Sequence, residues 1–222
     1  MENKRVINLI WDMDGTIVDS YPEIMERIRK TLEAFNISDK YSDEYIYSVI
    51  IHHSVGYFDR LIASENNIEL DELMKVVKSI PVRETGLELI PNMKDFLEWT
   101  ANSSLFSMQS FIYTHRGPSH KGILENLGVY KYFKDCVDSS FHFPMKPNPT
   151  GLNYLIDKYN MDKSKTYYIG DRVLDIECGK NAGVISVFIN TSGFDDFDIS
   201  SAKFVINDIN EMKKILECKK EY

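Results

Sequence analysis

Cysteine is scarce in these 222 residues. Cys136, Cys178 and Cys218 are the only three, widely spaced and without a CxxC pair. An odd, dispersed set excludes a disulfide framework and a thiolate zinc site, and points to a reducing compartment. Long apolar runs are lacking as well. No stretch reaches the length needed to cross a bilayer, and the run after Lys4 and Arg5 is too short for a signal-peptide core and ends in carboxylates. The expectation is a cytoplasmic protein with no membrane contact. Blocks of positive charge are missing too: 26 basic against 34 acidic residues leave a net charge of −8, which argues against charge-driven binding of nucleic acid. There is no internal repeat and no low-complexity segment. What remains, 43% hydrophobic and 27% charged, is the composition of a soluble globular chain. Its length allows a core domain with an insertion.

The apolar run Val6–Trp11 reads as a buried parallel strand. A helical block follows. Pro22 opens an amphipathic helix carrying Ile24, Ile28, Leu32 and Phe35; Ser42–Ile51 and Tyr57–Asn66 are two more helices, separated near Gly56; Leu70–Val82 is a fourth. The pattern then changes to strands alternating with helices. Met108–Tyr113, Cys136–Asp138, Thr166–Ile169, Ile185–Ile189 and Phe204–Ile206 are the strands. Pro91–Ala101, Ser119–Leu127, Pro149–Tyr159, residues 173–182 and residues 209–218 are the helices. Such alternation predicts an α/β fold, a doubly wound parallel sheet with helices on both faces. Residues 1–19 and 86–222 form this core and residues 20–85 the inserted helical domain, with hinges at Asp19–Pro22 and Arg83–Gly86.

In open α/β sheets, ligands sit beyond the carboxyl ends of the strands. The three clearest strands run into polar clusters there: Asp12-Met13-Asp14-Gly15-Thr16, then Thr114-His115-Arg116-Gly117, then Gly170-Asp171-Arg172-Val173-Leu174-Asp175. A fourth cluster, Met145-Lys146-Pro147-Asn148-Pro149, opens a helix. Carboxylates at a strand end can hold a hard cation, and one of them can attack an electrophile that the cation neutralises. Taken singly, each cluster has a plainer reading. Asp-Gly is a turn signal, Asp171 could cap the next helix, and Lys146 could be a solvated lysine. For the plainer readings to hold, all of them would have to coincide, in order, along one chain.

The ordered set DxDGT, a Thr after a hydrophobic strand, a Lys before Pro-x-Pro, and GDxxxD resembles the haloacid dehalogenase superfamily. It is most similar to the phosphoglycolate-phosphatase-like branch, which carries a helical cap after the first motif; Ile17-Val18-Asp19-Ser20 also fits that branch. The resemblance implies a Rossmann-like core and Mg²⁺-dependent hydrolysis of a small phosphate monoester. It casts Asp12 as the nucleophile that forms an aspartyl-phosphate and as a metal ligand. Asp14 becomes the acid that protonates the leaving group and then activates water, with its backbone carbonyl on the metal. Gly15 allows the sharp turn. Thr114 and Lys146 bind the phosphoryl group, Asp171 ligates Mg²⁺, and Asp175 supports the metal site directly or from behind. Oxygen-only ligands suit Mg²⁺ rather than zinc.

Further candidates for phosphate or substrate contact are His115 and Arg116, beside Thr114, and His52, His53 and Ser54 between cap helices. Phe141, His142 and Phe143 read as packing residues, and Cys178 as a small buried apolar residue. The chain also departs from relatives. The position twelve residues after the nucleophile, where sugar-phosphate mutases of this branch usually carry His, holds Ile24. Asp14 is present, whereas dehalogenases lack the second Asp. Thr114-His115-Arg116 replaces the more usual Thr or Ser followed by Asn. Phosphatase chemistry is therefore favoured over a phosphomutase or phosphotransferase, and over a non-catalytic binding module on the same fold. The expected partner is a small phosphorylated metabolite, and the expected state a monomer or homodimer.

Overall fold

The structure, a computed structural model, describes residues 5–83 and 85–218. Lys4, the side chains of Arg5 and Cys218, and Glu84 in the expected hinge lie outside the described residues. In chain order the elements are β1 (Arg5–Trp11), β2 (Val18–Asp19), α1 (Tyr21–Ala34), α2 (Asp43–His52), α3 (Val55–Glu65), α4 (Leu70–Ser79), β3 (Glu88–Leu89), α5 (Met93–Asn102), β4 (Phe106–Tyr113) and α6 (His120–Asn126). Then follow β5 (Phe133–Val137), α7 (Thr150–Lys158), β6 (Thr166–Gly170), α8 (Val173–Ala182), β7 (Ile185–Ile189), β8 (Phe204–Ile206) and α9 (Glu211–Cys218). Contacts divide the chain into two compact units, one holding the residues up to Asp19 and from Leu87 on, the other Ser20–Gly86.

The first unit is built on a six-stranded sheet in the order β5-β4-β1-β6-β7-β8. All five pairings are parallel. The chain moves outward from β1 through β4 to β5, then crosses to the other side of β1 for β6, β7 and β8. That reversal beside β1 is a topological switch point, where open α/β sheets form their ligand crevice. Alternation along β1 serves two cores. Ile7, Leu9 and Trp11 pack on one face with Phe96 and Leu97 of α5, Ile123 of α6 and Met212 of α9. Ile10 packs on the other with Phe111, Tyr168, Leu152 and Leu155 of α7, and Cys178 of α8. Apolar residues on both faces are what a doubly wound parallel sheet requires.

The second unit contains α1 to α4, and no strand occurs among its described residues. Ile28, Leu32, Ile46, Ile50, Phe58, Ile62 and Leu73 are among its buried apolar residues. Two boundaries differ from the sequence reading. The break between α2 and α3 falls at Ser54, whose hydroxyl accepts the Tyr57 N–H and caps α3, so that Gly56 lies inside the helix. The fourth helix stops at Ser79 rather than Val82, because Pro81 forces Ile80 to extended backbone (ψ 117°). A short antiparallel ribbon also had no sequence signal. In it β2 pairs with β3, Val18 opposite Leu89 and Asp19 opposite Glu88, at the point where the chain leaves and re-enters the first unit.

Candidate active site

Register brings the strand ends level. Trp11 pairs with Ile112 of β4 and with Ile169 of β6, so the residues that follow each strand emerge at one edge of the sheet. The Asp12 N–H still donates to the Ile169 carbonyl at 2.9 Å, and the Thr114 N–H to the Val137 carbonyl at 2.9 Å. After Asp12 the chain folds over. The Met13 carbonyl accepts the N–H groups of Ile17 (2.9 Å) and Val18 (3.0 Å), with the Met13 side chain fully buried. Gly15 adopts φ +77°, a left-handed conformation that side chains disfavour, and its carbonyl accepts the Thr191 hydroxyl at 2.9 Å.

Asp12, Asp171 and Asp175 are buried, and each offers a carboxylate oxygen within 4.8 Å of the others. Lys146, also buried, donates to Asp12 Oδ1 at 2.6 Å and to Asp175 Oδ1 at 2.8 Å. Asp175 is engaged further. Its Oδ1 accepts the Tyr168 hydroxyl at 3.0 Å and its Oδ2 the Arg172 N–H at 3.3 Å. Asp171 Oδ1 accepts the Thr16 hydroxyl at 3.0 Å. Asp12 Oδ2, by contrast, is buried without a hydrogen-bond partner.

The electrostatics follow from this crowding. Burial raises the Asp12 carboxyl to about 7: Lys146 and Arg172 pull it down, but Asp175 and Asp171 push it back up. For Asp175 burial is outweighed by Lys146, Arg172 and its hydrogen bonds, and the carboxyl lies below its usual range. Burial alone would lower Lys146; Asp12 and Asp175 instead hold it protonated. Three buried carboxylates thus crowd together, two of them on one buried ammonium, and one has an oxygen with no donor. An all-oxygen set with an orphaned carboxylate oxygen fits a hard divalent cation, which would supply the missing positive charge. Asp12 and Asp171 fit as its ligands, while the oxygens of Asp175 already serve Lys146, Tyr168 and the start of α8.

The remaining expected site residues divide into two groups. Thr114, directly after β4, is buried, and its Oγ1 accepts the Arg116 N–H at 3.0 Å, leaving the hydroxyl proton able to donate. Arg116 reaches Asp14 with its guanidinium: Nε lies 3.1 Å from both carboxylate oxygens and Nη2 2.5 Å from Oδ1. His115 accepts the Lys146 N–H at Nε2, 3.0 Å away, and so is neutral there. Burial, with Lys146 and Arg172 nearby, pushes its imidazole down to about 3. His52, His53 and Ser54 belong to the helical unit. Ser54 caps α3, His53 stacks on Tyr57 at 4.3 Å, and His52 Nδ1 lies 2.8 Å from the Ser48 carbonyl. Sequence reasoning missed Thr16, Tyr168 and Arg172. Thr16 and Arg172 lay inside the first and third polar clusters, whereas Tyr168 had no signal.

With this geometry in view, comparison with known proteins is direct. Residues 9–189 match the sequence model of the haloacid dehalogenase-like hydrolases. The chain belongs to that family. Among relatives of this hydrolase, a phosphoglycolate phosphatase of Vibrio parahaemolyticus is 26% identical over 97% of this chain and 98% of its own. Pyrophosphatase PpaX of Oceanobacillus iheyensis is 23% identical over 94% of this chain and 95% of its own. Among solved structures, a haloacid dehalogenase-like family hydrolase of Streptococcus pneumoniae shares the fold, with a TM-score of 0.77 at 16% identity over 95% of this chain and 98% of that one.

Proposed function

We propose that this hydrolase is a Mg²⁺-dependent phosphatase that cleaves a small phosphate monoester through an aspartyl-phosphate on Asp12. The observation that carries the reading is Asp12 itself. It is a buried carboxylate with one oxygen on Lys146 and the other without a donor, next to Asp171. Phosphatases among the relatives support the same class of reaction. A phosphate monoester is a dianion that repels nucleophiles, so fixed positive charge must meet it first. Lys146 supplies that charge without titrating, since Asp12 and Asp175 hold it protonated.

In this reading Asp12 attacks phosphorus, and Thr114 and Lys146 hold the phosphoryl oxygens. Asp14 protonates the leaving group and then takes the proton of the water that hydrolyses the aspartyl-phosphate. Asp12, Asp171 and the Asp14 carbonyl would hold Mg²⁺, which when bound would supply charge neutralisation at the phosphoryl group. The reading places the enzyme in the cytoplasm, in keeping with the free thiols of Cys136 and Cys178; among the described residues no helix is long and apolar enough to cross a membrane. The test is hydrolysis of p-nitrophenyl phosphate with Mg²⁺. Wild type should turn over and Asp12→Asn should lose at least about a thousandfold of the activity. Equal activity in both proteins, or none in either, would refute the assignment.

A further inference from the structure

Arg116 is held at three points. Its N–H donates to Thr114 Oγ1 at 3.0 Å, its carbonyl accepts the Ser139 N–H at 3.1 Å, and its guanidinium grips Asp14. The grip is a fork, because Nε touches both carboxylate oxygens and Nη2 touches Oδ1 a second time. The Arg116 side chain is 9% exposed and that of Asp14 24%, so the pair is partly dried on one side and open on the other. An exposed ion pair would contribute little, but a planar fork in a half-buried setting fixes the plane and rotation of the carboxylate it holds. Three N–H contacts also engage Asp14 as an acceptor, the form that takes a proton rather than gives one.

Resting on the phosphatase reading above, the geometry points to Arg116 as the positioning residue of Asp14, holding its carboxylate where it takes the proton of the attacking water. In that step the water oxygen bonds to phosphorus as the bond from phosphorus to the Asp12 oxygen breaks. The electron pair returns to Asp12, the water proton passes to Asp14, and inorganic phosphate leaves. Arg116 acts through Asp14 and not on the phosphoryl group, so with p-nitrophenolate, which leaves without needing the Asp14 proton, its removal should slow the second half of the cycle and spare the first.

The experiment is stopped-flow hydrolysis of p-nitrophenyl phosphate with Mg²⁺ by wild type, Arg116→Gln and Arg116→Lys. In Arg116→Gln kcat should fall by about tenfold or more, the lower end of general-base contributions. KM should fall with it, leaving kcat/KM within about twofold of wild type. A nitrophenolate burst approaching one equivalent should precede the slow phase, with the acyl phosphate trapped by acid quench. Arg116→Lys, which keeps the charge but not the fork, should give a smaller burst and an intermediate kcat. A raised KM with reduced kcat/KM would overturn the proposal and make Arg116 a phosphate ligand. Equal slowing of both phases, or a lower melting temperature with unchanged kinetics, would overturn it as well. A wild type inert with Mg²⁺ would instead bring down the phosphatase reading on which it rests.

Discussion

Replacing Asp12 by Asn should inactivate the enzyme and, with metal withheld, make the protein more stable. The Asp12 carboxyl is raised from 3.8 to about 7, burial being the largest cause. The unfolded chain therefore releases this proton near pH 4 while the folded chain keeps it until near pH 7. Between those values the folded state binds more protons, so the contribution of Asp12 to stability falls as pH rises, and above about pH 7 the deficit is constant. Three pKa units at 1.36 kcal/mol each amount to about 4 kcal/mol at full strength. Asn is neutral at every pH, so it removes the deficit. The attraction of Lys146 is already contained in that shift, so nothing further is subtracted for it. The net gain above pH 7 should be of the order of 1–4 kcal/mol, a rise in melting temperature of roughly 2–16 °C for a chain of this size. The assay is thermal unfolding in EDTA at pH 5 and pH 8, repeated with Mg²⁺. Asp12→Asn should melt higher than wild type at pH 8, by a margin that shrinks at pH 5. Mg²⁺ should raise wild type more than the variant and narrow or reverse the order. A variant that melts lower than wild type in EDTA at pH 8, or by the same margin at both pH values, would refute this account of the charge cluster.

Gly170→Ala should damage the site from beneath, because its Cβ would meet Asp175 Cβ at 2.4 Å and Cγ at 2.5 Å. Asp175 must then move off Lys146 and Tyr168; a stability loss of about 1–3 kcal/mol and a drop in kcat/KM of roughly 10–100-fold are expected, read by melting and p-nitrophenyl phosphate turnover. His115 has its folded pKa lowered from 6.5 to about 3, so its contribution is complete above pH 6.5 and is lost as pH falls towards 3. At pH 5 that loss is about 2 kcal/mol, and His115→Gln should flatten this part of the profile of melting temperature against pH.

Much of the core was legible because its determinants are local. Val6–Trp11 is apolar at every position but Asn8 and ends abruptly in carboxylates, which defines both a buried strand and its exit. Once the sheet was read as parallel, Asp12, Thr114 and Asp171 had to emerge at one edge. Where punctuation competed, the reading slipped. Gly56 drew the helix break that Ser54 makes, since a capping hydroxyl stabilises a helix start more than one glycine disfavours its interior. The β2–β3 ribbon was invisible because two residues a side carry no periodicity. Partnerships were the least legible. Nothing in the order Thr-His-Arg tells that His115 turns to the Lys146 backbone and Arg116 to Asp14. Those choices depend on loops that only the sheet brings together, and the same holds for Tyr168 beneath Asp175.

The ribbon of Val18–Asp19 against Glu88–Leu89 has a consequence for how such a chain can change. It clamps departure and return side by side, so the sheet experiences everything from Ser20 to Gly86 as one closed loop. Lengthening a loop whose ends are already joined alters closure entropy only slowly, by about 0.6 kcal/mol per doubling. The helical segment could therefore be exchanged for a longer, shorter or unrelated module while the six strands remain in register, leaving the parent scaffold free to keep its chemistry as its appendage diversifies.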